Sequence, residues 1–242
     1  SAMLAAARAG DTVLTFNHQR RFGAPFRKTR GLIEQGVVGD LTRLECTSGD
    51  LYDGGCHWVD LLNYFNGETA PEWVMGQVDC REVRTAFGVP SEVQGVFNWR
   101  YRNGVTAVML TGPQPNTLGP AFRVLGSAGV IEIGWDPTPG PMLRYCRWDA
   151  AGWTAVECGG ENLHGPGYIE RAIADVVDCL QTGRTSELCA ENEMKAMDIV
   201  FGAYESARRR GRVDLPLTIA DHPLMSMLEA GEIGPEKTVL LE

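Results

Sequence analysis

Residues 92–110 read EVQGVFNWRYRNGVTAVML, and this stretch decides the fold class. Over Glu92–Arg100 and Val105–Leu110 the apolar residues alternate or run together, as in strands that press one face onto a core. Asn103-Gly104 between them is a type I′ hairpin signal, because both residues tolerate positive φ. The β signal continues outward, with further strands expected at 74–83, 121–126, 129–135, 142–148 and 153–158. The turns fall at Ser127-Ala128-Gly129, at the Pro-rich 137–141 and at Asp149 to Gly152. Helical spacing brackets this block. Before it, helices are expected over 1–9, 24–35 and 55–66, stopped by Gly10, Gly36 and Gly67, with short strands at 13–16 and 41–48. After it, Tyr168, Ala172, Val176, Cys179 and Leu180 form one apolar stripe, and Met194, Met197, Ile199, Val200 and Tyr204 belong to another. A short strand at 213–217 and a last helix near 222–230 follow. The expected class is α+β, a large mostly antiparallel sheet flanked by helices.

The chain has 242 residues, 44% hydrophobic and 22% charged, which suits a globular domain with a core of its own. No apolar run approaches the ~18 residues of a membrane span. With 22 basic and 31 acidic residues the net charge is −9, so neither nucleic acid nor an anionic membrane is an expected partner. Seven cysteines at irregular spacing, with no Cys-x-x-Cys, argue against a disulfide framework or a thiolate zinc site. The first residues lack the basic and long apolar regions of a signal peptide, so the expected location is cytoplasmic.

The densest polar cluster is Asp53-Gly54-Gly55-Cys56-His57-Trp58-Val59-Asp60. Asp53 stands where a helix N-cap belongs and His57 lies one turn on, so carboxylate and imidazole can face one cavity. A helix N-terminus favours the neutral imidazole, which suits a general base. The same residues also read as a plain cap, a core histidine and loop glycines. Asn17-His18-Gln19-Arg20-Arg21 follows the carboxyl end of a short strand, either lining a ligand crevice or forming a solvated edge. His164, in the loop before a long helix, either reaches a ligand or is simply exposed. Asp53, His57 and Asp60 could serve a metal-dependent hydrolase, but no second histidine stands at a familiar ligand spacing and no metal is expected. No Gly-x-Gly-x-x-Gly follows a strand, and neither a P-loop nor Gly-x-Ser-x-Gly is present; Gly126 to Gly129 reads as a hairpin turn.

Taken in order, five motifs resemble the Gfo/Idh/MocA oxidoreductases, named for glucose-fructose oxidoreductase and inositol dehydrogenase. They are Val13–Phe22 ending in Arg21-Phe22, Phe26-x-x-x-Arg30-x-x-Ile33-x-x-Gly36-x-Val38-Gly39, Asp53-x-x-x-His57-x-x-Asp60, Leu125–Glu132, and Ser206-Ala207 followed by Gly211–Leu217. The resemblance implies that residues 1–16 are the last helix and strand of a Rossmann dinucleotide-binding domain, and that 17–242 form a substrate-binding and oligomerisation domain. It implies hydride transfer between NAD or NADP, held in the complete protein, and an alcohol carbon of a sugar or cyclitol. On that model His57 takes the hydroxyl proton, Asp53 holds the hydroxyl or orients the imidazole, and Asp60 supports the helix. Asn17, His18 and His164 are expected at the substrate, Gln19 and Arg21 at the cofactor. A homo-oligomer through the open sheet face is also implied. The family's Rossmann fingerprint and Glu-Lys-Pro motif belong upstream of Ser1, and the segment from 48 to Asp53 is short. The chain is therefore expected to be the C-terminal part of a longer enzyme and inactive alone. The alternative is a related carbohydrate-binding or oligomerisation module without catalysis.

Overall fold

The computed structural model describes residues 2–82, 84–137 and 139–235. Its elements are α1 (Ala2–Ala9), α2 (Ala24–Glu34), β1 (Leu41–Ser48), α3 (Gly54–Phe65), β2 (Pro71–Asp79), β3 (Arg84–Ala86), β4 (Val89–Ser91), β5 (Gln94–Tyr101), β6 (Thr106–Thr111), β7 (Phe122–Gly126), β8 (Gly129–Ile133), β9 (Leu143–Arg147), β10 (Thr154–Val156), α4 (Tyr168–Thr182), α5 (Ala190–Arg209), β11 (Val213–Asp214) and α6 (Pro223–Glu229). Nine strands form one sheet in the order β10-β9-β8-β7-β1-β6-β5-β2-β11, and β3 and β4 pair separately. Neighbours run antiparallel except β1 and β6, which are parallel. β1 therefore joins two antiparallel blocks, β2-β5-β6 on one side and β7 to β10 on the other.

The two-residue period of β5 gives the sheet its sides. Phe97, Trp99 and Tyr101 are fully buried, while Gln94, Val96 and Arg100 between them are exposed. The buried face packs on α5 and α3, with Phe65, Ile199, Val200 and Tyr204 in the same core. The approach of α5 to the sheet is close: a Cβ on Gly76 would lie 2.7 Å from the Ala203 carbonyl oxygen. On the other face β1, β7, β8 and β9 carry a row of directly opposed charges. Arg123 donates to Glu45 and Glu132 at 2.9 Å each, and Arg144 donates to Glu132 at 2.7 Å.

Glu92, between β4 and β5, is fully buried. Its carboxylate accepts from the Leu51 N–H at 2.7 Å, the Thr111 hydroxyl at 2.9 Å and the Tyr204 hydroxyl at 2.7 Å. One side chain thus ties the loop before α3 to β6 and α5. Burial pushes its pKa up against those hydrogen bonds.

Several expectations change. Residues 13–16 do not form a strand of the sheet; Thr15 makes a single bridge to Cys189. The hairpin after β5 has a three-residue loop: the Gly104 N–H bonds the Tyr101 carbonyl, and Gly104 (φ 89°) but not Asn103 takes positive φ. That is a type I turn with a Gly bulge, and the Asn103 side chain bonds Asn66 and the Val105 N–H instead. The strand expected at 74–83 runs Pro71–Asp79, and its expected last residue, Val83, lies outside the described residues, as does Ser1 of the first helix. The strand at 213–217 stops at Asp214, ahead of Pro216, which has no N–H to extend a ladder. The β3–β4 hairpin was not expected.

Glu92→Ala would leave three donors without their acceptor and open a cavity, at an expected cost of about 3 kcal/mol or more. The measurement is urea unfolding, where the midpoint should fall with the slope unchanged. An unmoved midpoint would show that this tie carries no stability.

Candidate functional site

The site is built where the 3₁₀ turn Gln19–Phe22 meets α3. Arg21 in that turn is 1% exposed, and its guanidinium donates to both oxygens of Asp60 on α3, from Nε at 2.7 Å and from Nη2 at 2.5 Å. Its Nη1 lies 2.6 Å from Glu68 and donates to the Glu187 carbonyl at 3.1 Å. These contacts clamp the turn to the helix and bring His18, just before the turn, onto His57 in α3. The Nδ1 atoms of the two imidazoles are 3.1 Å apart, and Nε2 of His18 is hydrogen-bonded to the carboxylate of Glu193 on α5. Asp60 stands 3.8 Å from Nδ1 of His18.

The electrostatics separate the two histidines. Burial pushes the His57 pKa down to about 3, and the charges of Arg20 and His18 push the same way, so His57 is neutral at ordinary pH. The neutral form expected from the helix N-terminus is present, with burial as its main cause. For His18 burial also opposes the charged form, but Asp60 and Glu193 outweigh it and hold the pKa above the ordinary histidine value.

Arg20 extends its guanidinium over the Trp58 ring at 4.3 Å. Its Nε and Nη1, together with Trp58 Nε1 and Gln19 Oε1, are buried without a hydrogen-bond partner. Burial pulls the Arg20 pKa down to about 10. The His164 ring lies 6.0 Å from Trp58, and Arg20 lowers the pKa of His164 after burial has done so. Unsatisfied polar atoms are costly inside a protein, and these gather near the neutral His57.

The expected residues thus part company. His18 and His57 are brought into contact, and Gln19 and His164 lie in the same neighbourhood, Gln19 on the clamped turn and His164 within the reach of Arg20. Asn17 and Asp53 are exposed. Asp53 does not cap α3: its backbone is in the right-handed helical region, and Asp50 accepts the Asp53 N–H at 2.6 Å in its place. The N–H groups of Gly54 and Gly55 also bond Asp50. Gly55 is needed there, because a Cβ would lie 2.3 Å from the Asp50 carbonyl oxygen. Arg21, expected at the cofactor, has its guanidinium taken up by Asp60, Glu68 and Glu187, and works as a strut. Asp60 is committed to the same pair, and among the described residues no three His, Cys, Asp or Glu side chains are arranged to hold a metal ion. Sequence reasoning missed Arg20, Asp50 and Glu193. Arg20 lay inside the polar segment that it had singled out; Glu193 carried no local signal.

No protein-family model matches the chain, and no curated protein matches its sequence. Solved structures do match. An aldose-aldose oxidoreductase from Caulobacter crescentus complexed with glycerol aligns with a TM-score of 0.71 at 18% identity, over 88% of this chain and 67% of that one. An oxidoreductase from Agrobacterium radiobacter in complex with NAD+, L-tartaric acid and magnesium aligns at 0.69 and 18%, over 88% and 68%. The WlbA dehydrogenase from Bordetella pertussis, in complex with NADH and UDP-GlcNAcA, aligns at 0.67 and 19%, over 89% and 68%. These are oxidoreductases of the Gfo/Idh/MocA type, and this chain shares the fold of their corresponding part. Among the described residues no helix is long and apolar enough to cross a membrane.

Asp60→Asn removes one charge of a buried pair and should cost on the order of 3 kcal/mol. The melting temperature of the variant should fall clearly, whereas His57→Ala should leave it nearly unchanged. An Asp60→Asn protein that melts like the parent would take the clamping role away from this pair.

Proposed function

We propose that this chain is the substrate-binding part of an NAD(P)-dependent oxidoreductase that moves hydride between nicotinamide and an alcohol carbon of a sugar or cyclitol. The observation that carries the reading is His57, neutral, backed by His18 and set among orphaned polar atoms. His57 accepts the proton of the substrate hydroxyl at Nε2, in the tautomer whose Nδ1–H donates to Nδ1 of His18. Asp53, exposed at the start of the same helix, takes a hydrogen bond from a neighbouring hydroxyl, and His164 and Asn17 contribute at the rim.

The residues present fit one edge of the cofactor. A nicotinamide carboxamide offers an N–H and a carbonyl; Gln19 Oε1 is an orphaned acceptor, and Arg20 and Trp58 hold orphaned donors. When bound, the nicotinamide accepts or gives the hydride. Solved neighbours bound to NAD+ or NADH, and to glycerol, L-tartaric acid or UDP-GlcNAcA, support this cofactor and a hydroxylated substrate. Contact between copies at the open sheet face, where Met75 and Val96 are exposed, and a cytoplasmic location belong to the same proposal.

Calorimetry with NAD(H) and NADP(H), on this chain and on a version extended upstream, tests the reading. Binding to the extended version alone is expected, and in that protein His57→Ala should cut turnover by about 10² to 10⁴. Binding to neither would leave a carbohydrate-binding module, and unchanged turnover would remove His57 as the base.

A further inference from the structure

We infer that Glu193, His18 and His57 form a buried proton relay in which the charge state of His18 selects the tautomer of His57, and with it the direction in which His57 moves a proton. The inference rests on the reading of His57 as the acid-base group and adds two positioning residues behind it. Its basis is two contacts in series. Nε2 of His18 meets the Glu193 carboxylate, an acceptor only, so that nitrogen carries a hydrogen in either charge state of the ring. The remaining nitrogen, Nδ1, meets Nδ1 of His57 at 3.1 Å, and a hydrogen bond between two imidazole nitrogens needs one hydrogen between them.

Only two arrangements satisfy both contacts while His57 is neutral. If His18 is neutral, its Nδ1 is an acceptor, so the hydrogen belongs to Nδ1 of His57 and Nε2 of His57 is an open acceptor. If His18 is an imidazolium, its Nδ1–H donates to Nδ1 of His57, and the single hydrogen of His57 moves to Nε2, which becomes a donor. The first state is set for alcohol oxidation and the second for carbonyl reduction. During oxidation the alcohol C–H bond breaks as its hydride leaves to the oxidised nicotinamide, and the O–H bond breaks as its proton passes to Nε2 of His57. The Nδ1 proton of His57 passes to Nδ1 of His18, and the substrate carbon and oxygen form a carbonyl. His57 ends neutral, and the positive charge rests on His18 between Glu193 and Asp60.

The surroundings favour that division. His57 faces Arg20, His18, Asp60 and His164, and with burial their sum opposes a charge there. His18 faces Asp60 on α3, Glu193 on α5 and Arg21 in its own turn, and the two carboxylates outweigh the arginine. His18 is 6% exposed, and both of its ring nitrogens meet protein partners.

The test needs neither substrate nor cofactor. Long-range ¹H–¹⁵N spectra of the histidine rings of this chain, recorded from pH 5 to 9, report charge and tautomer separately. One transition is expected: as His18 loses its proton above the ordinary histidine range, His57 stays neutral and its hydrogen moves from Nε2 to Nδ1 at the same pH. In Glu193→Gln the joint transition should move to lower pH by a unit or more, because the carboxylate that favours the imidazolium is gone. In His18→Gln the His57 tautomer should lose its pH dependence. A His57 tautomer that does not follow His18 in the parent chain overturns the relay by itself, whether or not a variant folds. So does a Glu193→Gln transition at the parent's pH. In the extended enzyme the acid limb of alcohol oxidation should shift down with Glu193→Gln. Failure of the hydride-transfer reading would appear there and leave the ring spectra unchanged.

Discussion

Arg21 and Asp60 make the ion pair on which the site depends. Both side chains are almost wholly buried, and the guanidinium meets the carboxylate through two parallel hydrogen bonds, the geometry that best offsets the loss of hydration. A buried pair of this kind adds little net stability over an apolar packing, yet losing one member costs several kcal/mol. Its effect is therefore to allow one arrangement and penalise the rest. The arrangement fixed here is the seating of a short 3₁₀ turn on α3, and a 3₁₀ turn has too few internal hydrogen bonds to hold its own position. Glu68 and the Glu187 carbonyl complete the coordination of Arg21, so three separate parts of the chain converge on it.

The neighbouring arginine shows the opposite use of the same side chain. Arg21 has carboxylates on two sides, whereas Arg20 is mostly buried, lies on an indole, and has two nitrogens without partners. The charge of Asp53 favours the charged form of Arg20, but burial outweighs it. The Arg20 charge adds to burial in keeping His57 neutral. One arginine builds the platform and the next sets the potential above it.

The sheet was legible in the sequence because its information is periodic. The alternation in β5 and the glycines that end α2 and α3 are local signals, and these elements lie within a residue or two of their expected places. Legibility fails where a residue answers to a distant partner. Glu193 in the first turn of α5 is also what favourable interaction with the helix dipole would place there, and its real partner, His18, is 175 residues away. Asp50 was hidden by Asp53, which has the right residue type at the capping position but the wrong backbone conformation. Asn103-Gly104 suggested a two-residue turn, and the attachment of Asn103 to Asn66 decided for a longer one. For Glu193 and Asn103 the deciding contact is tertiary, whereas Asp50 caps α3 from only three residues before Asp53.

The place of β1 bears on how the chain reaches this structure. Within the hairpin β5-β6 and the meander β7 to β10 each pairing joins neighbours in sequence, so each can close its loops quickly. β1 is made early in the chain, and its partners, β6 on one side and β7 on the other, are made later. During biosynthesis its open edges wait through some sixty residues of further translation, roughly several seconds at ordinary ribosomal speed. In the folded sheet it is β1, paired on both edges, that makes one sheet of the two blocks, and α3 follows it after a short loop.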